Sequence, residues 1–174
     1  NYIRGWQHTL ASSGVAGSQI AGCLDVLKKD AELRRRGIGL DAIEQYCATF
    51  HMPRESGKIY ENWFHSRYLN EDHVKHFASD VLCMIPMLPA FMHRVVKPLG
   101  VMREHIECMT LMHRILSILQ HTYTVTEAAW ADLRATVDLH HILFKKLYPN
   151  LNKVRFHHLL LLPDDLRRLG ARGT

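Results

Sequence analysis

His73 and His76 stand three residues apart, and His105 and Cys108 repeat that interval. On a helix such a pair shares one face, so each could offer two ligands to a metal ion. His140-His141 and His157-His158 are adjacent pairs, whose members diverge around a helix. With 13 histidines in 174 residues, a zinc site is the first chemistry to consider. Zinc needs three or four convergent ligands, usually from two elements, and no ligand signature of that kind is present. Histidines that are solvated or hold a single hydrogen bond explain the pattern, and no metal or other cofactor is expected.

Covalent or hydrolytic catalysis has no stronger footing. The chain lacks a Gly-x-Ser-x-Gly elbow, a P-loop and a dinucleotide fingerprint. Asp164 and Asp165 follow Pro163 at what reads as a helix start, where negative charge is favoured without any reaction. Cys23, Cys47, Cys83 and Cys108 lie in helical patterns with no basic motif beside them to make a thiolate. Their wide spacing suits buried, reduced thiols in an intracellular protein, nuclear or cytoplasmic. The expectation is that the chain is not an enzyme and has no small-molecule substrate.

The remaining chemistry is charge. Lys28, Lys29, Arg34, Arg35 and Arg36 crowd one stretch, and Lys153, Arg155, Arg167, Arg168 and Arg172 crowd another. Side chains of this kind are what phosphate contacts require, so these ten are the candidate nucleic-acid-binding residues. A solvated helix face and a helix C-terminus use the same residues. The formal charge of +5 permits DNA as a partner without demanding it. Tyr60, Trp63, Phe64 and Tyr68 could anchor a protein partner or a second copy, although large aromatics more often pack inside.

The elements that would position these groups are helices. Ile20, Leu24, Leu27 and Ala31 step by four, three and four, predicting a helix from about Ala16 to Arg36 that stops at Gly37. Leu40, Ile43, Cys47 and Phe50 predict a second, ended by Pro53, and Pro53 to Gly57 reads as a loop. The aromatic group predicts a short helix. Asn70 is an expected N-cap, with Glu71 and Asp72 in the first turn and Val74, Phe77, Ala78, Val81, Leu82 and Ile85 following. Pro86 and Pro89 are expected to kink or break that helix before it resumes to about Val96, and Pro98-Leu99-Gly100 to form a turn. Met102, Ile106, Met109, Met112, Leu116 and Leu119 form a long stripe, with Leu111, Ile115 and Ile118 beside it, predicting a central helix. Thr124-Val125-Thr126-Glu127 has the form of a capping box ahead of Ala129, Leu133, Val137, Phe144 and Leu147, with Pro149 as the stop. The last segment, Val154 to Leu169, is expected to pause and restart at Pro163, with Gly170 as its cap.

About six or seven helices therefore make one all-α domain, an irregular multi-helix bundle spanning residues 1–174. Its 47% hydrophobic content suffices for a core. No secretory signal is legible and no run approaches the ~20 apolar residues that span a bilayer, so no membrane role is expected. Because Asn1 rather than Met stands first, the chain reads as a piece of a longer or processed protein.

Two segments are familiar together. Gly5-Trp6-Gln7-His8, Leu10 and Ser12-Ser13-Gly14-Val15-Ala16 stand near the start. Val154-Arg155-Phe156-His157-His158-Leu159-Leu160, Leu161-Leu162-Pro163 and Leu166-Arg167-Arg168-Leu169-Gly170 stand near the end. The pair resembles the helical insertion region of CACTA-like DDE transposases, over nearly the whole chain. In that family an Asp-x-x-His stretch carries the second catalytic carboxylate, and a Lys-Pro-Lys-x-His-x-x-Leu-His-Leu-Pro-like segment leads to the final Glu. Here His8 matches, but Gly5 occupies the Asp position, and Lys153-Val154-Arg155 replaces Lys-Pro-Lys. The final Glu has no counterpart before Thr174. DDE chemistry needs carboxylates around two divalent ions. The resemblance thus implies a degenerate, transposon-derived, non-catalytic helical domain with a structural, DNA-contacting or self-associating role. The alternative is a helical protein-interaction module with no nucleic-acid role.

Overall fold

The computed structural model of the chain describes residues 10–11, 14–50, 63–65, 68–70, 73–121, 126–151 and 155–170. Among them are seven α-helices: α1 Val15–Lys29, α2 Ala31–Arg35, α3 Leu40–Ala48, α4 Ala78–Phe91, α5 Arg103–His121, α6 Glu127–Leu147 and α7 Arg155–Gly170. A single isolated bridge, Leu69 to Val74, is the whole of the β structure among the described residues. The all-α, multi-helix expectation is therefore met.

Burial follows the apolar spacing. On α5, Ile106, Met109, Met112 and Leu116 are buried, together with Cys108 and Ile115 on the flanking side. Leu133, Val137 and Phe144 of α6 and Phe156 and Leu159 of α7 face the same core. Phe144 is its aromatic centre, with its ring centroid 4.2 Å from that of Phe156 and 5.0 Å from that of Tyr148. Ion pairs on the outside fix the register of these helices. Arg114 of α5 reaches Asp132 of α6 at 2.6 Å, Lys146 of α6 pairs with Glu104 of α5, and Arg134 of α6 meets Asp164 of α7 at 3.0 Å. Arg167 of α7 grips Glu127 at the start of α6 and lies 4.3 Å above the Trp130 ring. Helices α5, α6 and α7 thus run alternately up and down.

Helix α1 crosses this layer in a defined direction. Gln19 meets His140 in mid-α6, and Gly22 lies against Tyr148 and Leu151, beyond the end of α6. A Cβ on Gly22 would come within 2.7 Å of the Tyr148 ring. Glycine is needed there because the two elements touch with no room for a side chain. The predicted helix from Ala16 to Arg36 is in fact two. Asp30 turns to extended geometry (φ −62°, ψ 124°), and its carboxylate accepts the Leu33 amide at 3.0 Å, capping α2. Gly37 ends the pair with φ +68°, the left-handed conformation expected of a helix stop.

Other local features differ from expectation. Residues 73–77 are not helical: the Asn70 amide donates to the His73 carbonyl, and α4 begins only after Phe77. Trp63 and Phe64 occupy a turn and are buried, and the Phe64 amide donates to the Glu44 carboxylate of α3. Tyr60, Pro53–Gly57, Glu71 and Asp72 lie outside the described residues. Helix α4 passes through Pro86 and Pro89 unbroken, then widens to a π-turn over Met92–Val96 and tightens to a 3-10 turn over Lys97–Leu99. Helix α7 likewise runs through Pro163 without a restart. Thr126 caps α6, accepting the Ala129 amide at 3.1 Å, and Thr124 lies outside the described residues.

By length and apolar content alone, the run Ala78–Leu99 could cross a membrane. In the fold it is a core helix. Val81, Met84, Ile85, Met87, Leu88, Phe91, Met92 and Val96 are buried, and α1, α3 and α5 pack around it.

Candidate nucleic-acid interface

Of the ten candidate cations, Lys153 and Arg172 lie outside the described residues, and Arg155 is placed only as the first residue of α7. The others divide by whether a carboxylate already holds them. Lys29 pairs with Asp25 at 2.6 Å, Arg35 with Glu32 at 2.8 Å and Arg36 with Glu32 at 2.6 Å. The Arg36 and Arg35 contacts hold the Glu32 carboxyl below its ordinary range. Arg167 is engaged by Glu127 and Trp130. Lys28, Arg34 and Arg168 are exposed and have no carboxylate partner among the described residues.

The cations do not form one patch. Arg155 and Arg167 are twelve residues apart on one helix, so their backbones are separated by roughly 18 Å at 1.5 Å per residue. Arg167 and Arg168 sit at the Glu127 end of the bundle. Lys28 and Lys29 are in the last turn of α1, which passes His140 at Gln19 and Tyr148 at Gly22 before reaching them. Arg34 follows them across the Asp30 break.

A groove at this Tyr148 end was not legible in the sequence. It encloses about 520 Å³ and is lined by His93, Lys97, Arg103, Ile106, Glu107, Thr110 and Leu111. The π-turn supplies His93, the 3-10 turn Lys97, and the first three turns of α5 the rest. Gly100 (φ +75°) and Met102 (φ +54°) make the reversal between the two walls. A left-handed methionine is strained, and here its side chain is buried in exchange.

The groove's hydrogen bonds have one consistent direction. The Thr110 hydroxyl donates to the Ile106 carbonyl at 2.7 Å, so it accepts from His93 Nε2 at 2.9 Å. His93 Nδ1 then accepts from Lys97 Nζ at 3.5 Å. In that tautomer the imidazole is neutral and its ring is held at both nitrogens. It is no general base toward Thr110, because the proton already lies on Nε2. Neither Lys97 nor Arg103 has a carboxylate partner among the described residues, and Glu107 is the single acid in the lining. The arrangement offers an anion two cationic donors, Lys97 and Arg103, and pairs no hydroxyl with a base free to take its proton.

His76, His105 and His140 are engaged in packing, whereas His157 and His158 are exposed. His76 Nε2 donates to the Trp63 carbonyl at 2.8 Å, and His105 meets the Tyr148 ring edge-on. His140 is fully buried, with Nε2 2.9 Å from Gln19 Oε1. Burial, helped by neighbouring His141, pushes its imidazole down to about 3. Among the described residues no three His, Cys, Asp or Glu side chains gather as metal ligands would. All four thiols are free, and burial pushes Cys23 and Cys47 up to about 12, far from a reactive thiolate.

Comparison with family models, with curated proteins and with solved structures returned no match.

Proposed function

We propose that the chain is a non-catalytic helical domain that contacts DNA through phosphates at its Tyr148 end, as its resemblance to a transposase insertion implies. The observation that carries this reading is Lys97 and Arg103, exposed in the groove at that end with no carboxylate partner among the described residues; Lys28 and Arg34 are likewise exposed and unpaired. A surface lysine or arginine that serves stability alone tends to sit beside an acid, as Arg114, Arg134 and Lys146 do. Unpaired cations instead raise the local positive potential, which attracts a polyanion. The neighbouring pairs of Lys29, Arg35 and Arg36 are solvent-exposed and worth little each, so phosphate can exchange for them.

The test is duplex binding as a function of salt. Four phosphate contacts give a slope of log K against log salt of about −3 to −4. Replacing Lys28, Arg34, Lys97 and Arg103 together by Gln is expected to flatten that slope, while Arg168→Gln changes it by at most about one. Equal slopes for the wild type and the fourfold variant would end the proposal. The protein-interaction alternative is favoured by Ile142 and Leu139, which are 65% and 44% exposed on the outer face of α6. DNA-independent dimerisation lost on Ile142→Glu would support it.

A further inference from the structure

The groove differs in construction from the other charged surfaces of the molecule, and we propose that it seats the phosphate group of a phosphate ester. This inference rests on the cationic end just described and names what its groove accepts. Two cations, Lys97 and Arg103, face one carboxylate, Glu107, so the lining is net positive even with His93 neutral. The two cations offer different geometry: an ammonium with donors to spare beyond its His93 contact, and a planar guanidinium that can grip two phosphate oxygens at once.

The groove is also held in shape before any ligand arrives. His93 is fixed between Lys97 and Thr110, Thr110 is fixed to the α5 backbone, and the walls are joined by a short reversal with two left-handed residues. A rigid site loses less freedom on binding than a pair of lysines on an open helix. Its size, about 520 Å³, exceeds what one phosphate fills. Ile106 and Leu111 line the remainder, offering an apolar surface to the body of the ester, such as a sugar. A sugar-phosphate backbone passing through and a free mononucleotide present the same chemistry here.

The full chain, labelled for NMR at its histidines, would be titrated with inorganic phosphate, with a nucleoside monophosphate and with a short duplex. Saturable movement of the His93 ring signals is expected with phosphate at a dissociation constant on the order of 1 mM. Tighter binding is expected for the monophosphate. Lys97→Met or Arg103→Met is expected to weaken both by about tenfold, the loss of one charged hydrogen bond. Arg114→Gln, which removes a cation from elsewhere on α5, leaves both unchanged. Glu107→Gln is expected to tighten both, a gain that misfolding cannot mimic. If neither small anion moves His93 in a saturable way, or if Glu107→Gln gives no gain, the groove is not a phosphate seat. Duplex binding that survives such a result leaves the DNA reading standing. Small-anion binding without duplex binding leaves the groove standing and removes the DNA reading.

Discussion

His140 and Gln19 form a side chain–side chain hydrogen bond between fully buried neutral groups, and each retains an unpartnered nitrogen. The His140 imidazole is held neutral by burial, with its pKa displaced from 6.5 to about 3. The sign of the consequence follows from proton counts. Between those two values the unfolded chain binds a proton that the folded chain does not, so stability is complete above pH 6.5 and declines as pH falls toward 3. The slope for one proton is about 1.4 kcal/mol per pH unit. Burial lowers His105 and His113 as well, in the same direction. Urea midpoints measured from pH 7 to pH 4 should therefore fall more steeply in the wild type than in a Gln19→Leu, His140→Leu double variant. His140→Leu alone strands the Gln19 amide and is expected to cost about 1–3 kcal/mol; adding Gln19→Leu should return much of it. A double variant no more stable than the single would show that the pair is not coupled. Gly22→Ala belongs to the same scale: its methyl would collide with the Tyr148 ring, at an expected cost of about 1–3 kcal/mol in chemical denaturation.

At the scale of the element, the buried faces of α5, α6 and α7 were legible because burial imposes a period of three to four residues on apolar side chains. That period says nothing about backbone breaks. Ala31 continues the stripe of Ile20, Leu24 and Leu27 in register, yet Asp30 leaves the helix to cap the next one. The prolines err in the opposite sense. Pro86, Pro89 and Pro163 lie inside continuous helices, so packing outweighs the missing hydrogen bonds. The groove was hidden for a related reason. His93, Lys97 and Arg103 are unremarkable in sequence, and the π-turn that brings them together has no residue signature. Signals that did exist were of capping type, and they carry a prediction. Removing either Thr126 or Asp30 as a helix cap by substitution with Ala should cost about 1 kcal/mol, read as a shift in denaturation midpoint. No shift at Asp30 would mean that α2 is held by Leu33 packing alone.

At the scale of the molecule, alternating helices place Arg167 and Arg168 at the opposite end from the groove cations Lys97 and Arg103. Glu104 beside Lys146 marks one end and Glu127 beside Arg167 the other. The charge pattern put candidate cations in two stretches of sequence without saying whether either forms one patch. The second does not, because α7 is traversed from one end of the bundle to the other between Arg155 and Arg167. The exposed Ile142 and Leu139 lie between the ends, on α6. Ile142→Glu is expected to leave DNA affinity within twofold, read by fluorescence anisotropy, while Arg103→Glu lowers it by about tenfold or more.

The length of α6 sets a ruler. Nineteen residues separate Glu127 from Lys146, which places the two ends roughly 28 Å apart. One turn of B-form duplex is about 34–36 Å. A fragment of five or six base pairs is therefore too short to bridge the molecule and can occupy one end at a time. A duplex of a full turn lying lengthwise can meet both. Counterion release measured against oligonucleotide length should then rise in a single step near ten base pairs, rather than smoothly, when Arg168 and the groove are both engaged.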